Sequence, residues 1–265
     1  MSEREEVVKI TDVAYGGDGA ARLEDGRICF IPFVGLNEVV RIRIIKESKK
    51  FCRGEVIEVI EASENRVEAP CPHYETCGGC NYQHLSYEAQ VELKEAQFRQ
   101  VVRRIGGLDI TDDKVEVVAS DRAYNYRNRI TLAPQRRMDD EERSEELAYG
   151  FVARDKRTII PIKECLLARE QVNEMIPKLN KTRWGRKNMS RDKPKKATLR
   201  YAQGNDEGLI FYGLAPEGMP WRHDINGGKD FSVPTGSFSQ VNHEVAEKLQ
   251  EMCASIVSGL DGCKM

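Results

Sequence analysis

Residues 7–35, VVKITDVAYGGDGAARLEDGRICFIPFVG, and residues 37–63, NEVVRIRIIKESKKFCRGEVIEVIEAS, decide the fold at the front of the chain. Val40-Arg41-Ile42-Arg43-Ile44 alternates apolar and charged side chains, and residues 56–60 are rich in β-branched ones. Both read as strands with one buried face and one wet face. Glycine-rich turns at 16–19 and at 26 separate further short strands. A run of short strands in so little chain predicts a small closed barrel of the OB type, because closure removes edges that short strands would otherwise expose. Residues 61–69, polar and charged, read as the way out of it.

At 265 residues the chain has room for two compact domains and a sizeable core. The formal net charge is -2, so the whole-chain balance neither demands nor excludes a polyanionic partner, and any nucleic-acid surface must be local. The start, MSEREEVVKI, lacks an apolar core, and no long apolar run follows, which predicts a soluble, cytoplasmic protein with no membrane association.

Eight cysteines without an export signal read as thiols in a reducing compartment. Cys29, Cys52, Cys253 and Cys263 sit singly in apolar or amphipathic stretches, as small buried hydrophobes do. Cys71, Cys77 and Cys80 are crowded together, with Gly78-Gly79 between the last two. Two intervening residues let a tight turn aim both sulfurs at one centre, and the glycines give a backbone that can fold round an inorganic core. A closed site needs a fourth donor, and Cys165, between a strand and a helix, is the best candidate. Zinc, with His73 or His84 as fourth ligand, competes with an iron–sulfur cluster, although zinc ribbons usually show two close pairs.

Beyond the cysteines, Ser86 caps a helix over 87–105, whose Tyr87, Val91, Phe98, Val102 and Ile105 form a packing stripe before Gly106-Gly107 ends it. Strands are predicted at 115–118, 129–133, 148–152 and 158–160, and a helix over 169–180. The acidic run at 139–146 reads as a solvated loop, and residues 181–200 carry nine basic residues against one acid. A last helix over 243–258 follows Asn242 as N-cap, with Val245, Leu249, Met252, Ile256 and Leu260 at helical spacing.

Taken in order, Ala14-Tyr15-Gly16-Gly17-Asp18-Gly19, the cysteine triplet, residues 83–87 (QHLSY), Tyr126-Arg127-Asn128-Arg129, Cys165 and residues 236–242 (GSFSQVN) resemble the iron–sulfur-containing RNA uracil-5-methyltransferases that act on ribosomal RNA. The resemblance implies an α+β multidomain architecture. An OB-like TRAM β-barrel spans 1–62, and a mixed α/β domain with the iron–sulfur loop spans 63–235. Residues 236–265 open a truncated Rossmann-like methyltransferase domain. It further implies that Cys71, Cys77, Cys80 and Cys165 ligate a four-iron, four-sulfur cluster, and that Gln240 contributes to the S-adenosylmethionine and target-base site. Family chemistry is thiolate addition to uracil C6, methyl transfer to C5 and loss of the C5 proton.

No Gly-x-Gly turn after a strand follows Asn242, and neither Cys253 nor Cys263 has the setting of the family nucleophile. No catalytic residue is therefore assigned, and the chain alone is expected to be inactive. Arg127 and Arg129, beside Tyr124 and Tyr126, and Phe238 are the candidate RNA contacts, with 181–200 and the barrel's Arg41, Arg43, Lys46, Lys49 and Lys50 as further basic faces. The expected partner is RNA, ribosomal by resemblance, and the chain is expected to be monomeric. The alternative is a non-catalytic RNA-binding iron–sulfur module.

Overall fold

A computed structural model describes residues 4–111, 115–135, 149–182, 185, 188, 195–204, 209–211 and 221–259. The chain divides into two compact units, Met1–Val117 and Val118–Met265. The acidic run at 139–146, half of the basic run at 181–200, and Cys263 lie outside the described residues.

In the first unit six strands, β1 (Glu5–Lys9), β2 (Asp12–Val13), β3 (Gly19–Arg22), β4 (Ile28–Ile31), β5 (Val39–Glu47) and β6 (Phe51–Glu61), form one sheet in the order β1-β5-β6-β4-β3-β2. Its two edges, β1 and β2, belong to one strip of chain that bends at Ile10. There Ile10 N–H donates to the Glu38 carbonyl at 2.8 Å and Thr11 N–H to the Ala20 carbonyl at 3.0 Å. The sheet thus wraps round on itself, which is the closure the short strands call for. Val40 and Ile42 are fully buried while Arg41 between them is exposed, so the period-two pattern points its apolar members inward onto Val8, Ile10, Ile31, Cys29 and Cys52. Burial, with the neighbouring Cys52, pushes the Cys29 thiol up to about 12, which keeps it an inert core residue. Gly16 and Gly17 take φ of 111° and 103° in the β2–β3 turn, a region that L side chains rarely enter.

Helix α1 (Tyr87–Gly106) starts with Ser86 Oγ accepting from Ala89 N–H at 3.3 Å and ends at Gly107 with φ of 65°. Its apolar stripe does not form the packing face that the spacing predicts. Phe98 is 51% and Ile105 83% exposed, and the buried residues are Ala89 and Gln97. Leu93, outside that stripe, packs against the barrel core, and Gln97 Nε2 donates to the carbonyls of Val13 at 3.2 Å and Ala14 at 3.0 Å. The cysteine loop and α1 fall in the same compact unit as the barrel, so residue 62 marks the end of the last barrel strand and not an end of packing. Residues 115–118, predicted as a strand, form none.

The second unit holds an antiparallel sheet in the order β11-β10-β7-β8-β9, built from β7 (Arg129–Pro134), β8 (Tyr149–Val152), β9 (Ile159–Pro161), β10 (Ala197–Arg200) and β11 (Leu209–Phe211). Its core joins Ile130, Leu132, Tyr149, Ile176, Leu179 and Leu199. Gly150 is forced by the pairing, because a Cβ there would sit 1.8 Å from the Ile160 carbonyl oxygen. The helix predicted over 169–180 is two: α2 (Glu170–Asn173) and α3 (Met175–Lys181). Pro177 explains the break, since its ring would clash with the carbonyl of Asn173 in a continuous helix, whereas it is tolerated in the first turn of a new one. A hairpin of β12 (Trp221–Asn226) and β13 (Lys229–Pro234) and helix α4 (His243–Ser258) complete the unit. Asn242 caps α4, its Oδ1 accepting from Val245 N–H at 3.2 Å. Leu249, Met252 and Ile256 are 52%, 41% and 64% exposed, and Cys253, expected inside, is exposed too.

Candidate functional site

The cysteine loop of the first unit is a string of turns. Tyr74 N–H donates to the Cys71 carbonyl at 3.0 Å and Cys77 N–H to the His73 carbonyl at 2.8 Å. Cys71, Cys77 and Cys80 are half-buried and in no disulfide, and a Cβ at Gly79 would touch Cys77 Sγ at 3.5 Å. What locks the loop is its surroundings. Tyr74 Oη meets His84 Nδ1 at 2.6 Å, the Tyr74 ring packs edge-on to Phe33 with centroids 5.2 Å apart, and Asn81 Nδ2 donates to the Gly16 carbonyl at 2.6 Å.

His84 is buried, and that burial outweighs the pull of the Val34 carbonyl as an acceptor to bring its pKa down to about 4. A ring already engaged by Tyr74 and turned into the interior is a poor fourth metal ligand. Below it Glu38, fully buried, accepts from Arg66 Nε at 2.5 Å and Nη2 at 2.7 Å and from the N–H groups of Gly35 and Ser63. Burial works to raise Glu38, but the Arg66 guanidinium and the two N–H groups win and hold it below the usual carboxylate range.

Cys165, in the second unit, is half-buried and in no disulfide on the turn into α2. Its N–H donates to Asn173 Oδ1 at 2.9 Å and its carbonyl accepts from Ala168 N–H at 2.9 Å. Among the described residues no three His, Cys, Asp or Glu side chains are grouped closely enough to hold a metal ion. The four thiols have the soft donor chemistry an iron–sulfur cluster takes.

The segment 236–242 is positioned from beneath by two arginines that the sequence did not single out. Arg200 at the end of β10 and Arg222 in β12 are each 1% exposed. Arg200 Nη2 donates to Ser239 Oγ at 2.6 Å, while Arg222 Nη1 donates to the carbonyls of Pro234 at 2.6 Å and Thr235 at 2.8 Å. Asp224 accepts from Arg222 Nη2 at 2.9 Å. Burial, then the neighbouring Arg222, lowers Arg200 to about 10, so it stays charged at neutral pH. A charged residue closing the otherwise uncharged strand Ala197–Arg200 was the available signal.

Above these arginines lies a cavity of about 370 Å³ whose lining includes Asn128, Tyr201, Phe231, Phe238, Gln240 and His243. Gln240 is exposed on its wall and Phe238 is 78% exposed. Asn128, from the Tyr-Arg-Asn-Arg motif, is the residue of that motif that reaches the cavity, its Nδ2 donating to the Gln240 carbonyl at 3.2 Å. Arg127 and Arg129, predicted as RNA contacts, are only half exposed. Arg127 works through its backbone, which bonds Leu167 and Arg169, and its Nε is buried without a partner. Aromatic faces beside side-chain amides suit a flat heterocycle that must be both stacked and read at its edge.

The TRAM domain family matches residues 3–57. An uncharacterized RNA methyltransferase of Aquifex aeolicus is 33% identical over 67% of this chain and 39% of its own length. A 23S rRNA (uracil(1939)-C(5))-methyltransferase, RlmD, of Vibrio parahaemolyticus is 30% identical over 68% of this chain and 39% of its own. The chain is a homologue of RNA methyltransferases. It spans 36 to 39% of the length of such relatives, that of Gloeobacter violaceus included. The crystal structure of Pyrococcus abyssi tRNA (uracil-54, C5)-methyltransferase with S-adenosyl-L-homocysteine superposes with a TM-score of 0.65, over 96% of this chain and 65% of that one, at 22% identity. This likeness establishes the mixed α+β fold. Among the described residues no helix is long and apolar enough to cross a membrane.

Proposed function

We propose that this chain is the RNA-recognising portion of an S-adenosylmethionine-dependent RNA uracil-C5 methyltransferase, with ribosomal RNA as its substrate class. The observation that carries the reading is the way Arg200, Arg222 and Asn128 hold the 235–240 segment so that Phe238 and Gln240 line a cavity with further aromatic and amide walls. A side-chain amide offers a donor and an acceptor together, which matches the N3–H and carbonyl edge of uracil or the carboxylate of the methyl donor. The target base must leave its stack to meet such a wall. Cys71, Cys77, Cys80 and Cys165 are the ligands of a four-iron, four-sulfur cluster in this reading, supported by the absence of a disulfide at all four and by the hydrogen bond between His84 and Tyr74.

Filter binding with two RNAs that differ only by uracil or cytosine at one unpaired position tests the reading. The wild type should prefer uracil, Gln240→Ala should lose that preference, and equal binding of both RNAs by the wild type rejects it. Anaerobically purified protein should contain about four iron and four sulfide per chain, as thiolate-bound cubane clusters do. Cys165→Ser should lower both, and zinc at full occupancy would reject the cluster.

A further inference from the structure

Helix α1 turns Ala89, Leu93 and Gln97 toward the barrel and leaves its more apolar side to water. Val91, Phe98 and Ile105 recur on that side in steps of seven, with Val101 and Val102 beside them. Phe98 is 51%, Val101 38% and Ile105 83% exposed, while Val91 and Val102 are half-buried. Residues seven apart run almost straight along a helix, and such a row is the seam that two helices share in a coiled coil. A contiguous apolar row left in water marks a surface that something covers.

The charges flanking the row are sorted along it. Glu88, Glu92 and Glu95 fall in the N-terminal half, whose one cation, Lys94, lies over the Tyr82 ring at 4.0 Å from its centroid. The C-terminal half holds Arg99, Arg103 and Arg104 and no acid. Glu88 and Glu92 at one end and Arg103 and Arg104 at the other are exposed. Arg103 meets Asp109 beyond the helix at 3.1 Å, but with side chains 71% and 82% exposed that pair holds it weakly. The uncovered stripe of α4 lacks this order. Glu244, Glu247, Lys248 and Glu251 run down that helix and its last turn has no base, so antiparallel copies of it would set acids against an uncharged end.

We infer that α1 is the contact of a homodimer, in which two copies of the chain pair antiparallel along Val91, Phe98, Val101 and Ile105 about a two-fold axis near Phe98. Such an axis makes one patch its own complement. Val91 and Ile105, equally far from Phe98 in sequence, come opposite one another. Each acidic half lies over the basic half of the other copy, whereas a parallel pair would set like charges together. One helix a side is a contact at the small end of specific interfaces, so dimer and monomer exchange and the dimer grows with concentration. The chain, expected from its sequence to be monomeric, thus self-associates, independently of how it reads RNA.

Sedimentation velocity of the anaerobically purified, nuclease-treated chain over a wide concentration range tests it. The mass should climb from one chain toward two. Phe98→Glu and Ile105→Glu should each weaken association roughly tenfold or more, as loss of one buried apolar side chain does. Both side chains are exposed in the single chain, so the thermal melts at low concentration should match wild type. Charge gives a second test with the apolar row intact. A chain with Glu88→Lys and Glu92→Lys, and another with Arg103→Glu and Arg104→Glu, should each associate less than wild type, and their equimolar mixture should recover the dimer. A wild type that stays one chain at every concentration overturns the inference. If hydrogen exchange in α1 then slows on adding anionic vesicles or RNA, the face belongs to that occupant. A dimer indifferent to both glutamate substitutions, or a mixture no stronger than its components, overturns it as well. All these results leave the uracil preference measured by filter binding untouched.

Discussion

The two units bury charge in opposite ways. In the first, Arg66 and Glu38 form a one-to-one pair in which both carboxylate oxygens and two guanidinium nitrogens are used. In the second, Arg222 pairs with Asp224 while Arg200 has no carboxylate bonded to it, and the remaining donors of both are spread over the carbonyls and hydroxyls of residues 234–239. A matched pair is a closed object whose value lies in locking the chain together. An unmatched guanidinium must recruit backbone, and in recruiting it fixes a loop. The first arrangement anchors the segment leading to the cysteines, and the second displays Phe238 and Gln240.

Breaking the matched pair should cost most. Glu38→Ala leaves a buried guanidinium uncompensated, and urea unfolding should show a loss of about 3–5 kcal/mol. A midpoint unchanged from wild type would mean that Arg66 swings out to water. Next comes pH. Because the folded pKa of His84, about 4, lies below its ordinary value of 6.5, the unfolded chain binds the proton more readily. Its contribution is complete above 6.5 and is lost as pH falls from there through about 4, amounting to about 3 kcal/mol at most. His84→Phe should flatten the slope of urea stability between pH 6.5 and 5, where carboxylates still contribute little; a slope equal to wild type would assign the titration elsewhere.

The smallest of the three losses belongs to the unmatched side. Arg200→Met removes hydrogen bonds to Ser239 but also a buried charge without its own carboxylate, so it should cost about 1–3 kcal/mol. Its stronger signature should be loss of uracil preference in the binding assay. A cost as large as that of Glu38→Ala would erase the distinction between the two arrangements.

Short-range patterns carried much of this architecture. Alternation at 40–44 placed Val40 and Ile42 in the barrel core, and Ser86, Gly107 and Asn242 mark helix ends where capping chemistry predicts them. Helical spacing failed as a guide to burial in α1 and α4, because a stripe records what a helix could bury and not what stands beside it. Pro177 was a visible breaker that divides the helix expected over 169–180. For the site, the 236–242 segment was recognisable as a motif, and Gln240 and Phe238 do line a cavity. Arg200 and Arg222 were not recognisable as its support, since Arg200 lies 35 to 39 residues before the groups it holds and Arg222 sits in a separate hairpin, and a lone arginine in a strand ordinarily reads as exposed.

By itself the sequence determined the elements whose causes are local: strand alternation, glycine turns, helix caps and the crowding of Cys71, Cys77 and Cys80. The tertiary structure alone decided which charges are buried and with whom, and that Asn128 reaches the cavity where Arg127 does not. Those outcomes depend on register and on contacts between residues far apart in the chain, and no spacing rule encodes the desolvation of a particular guanidinium.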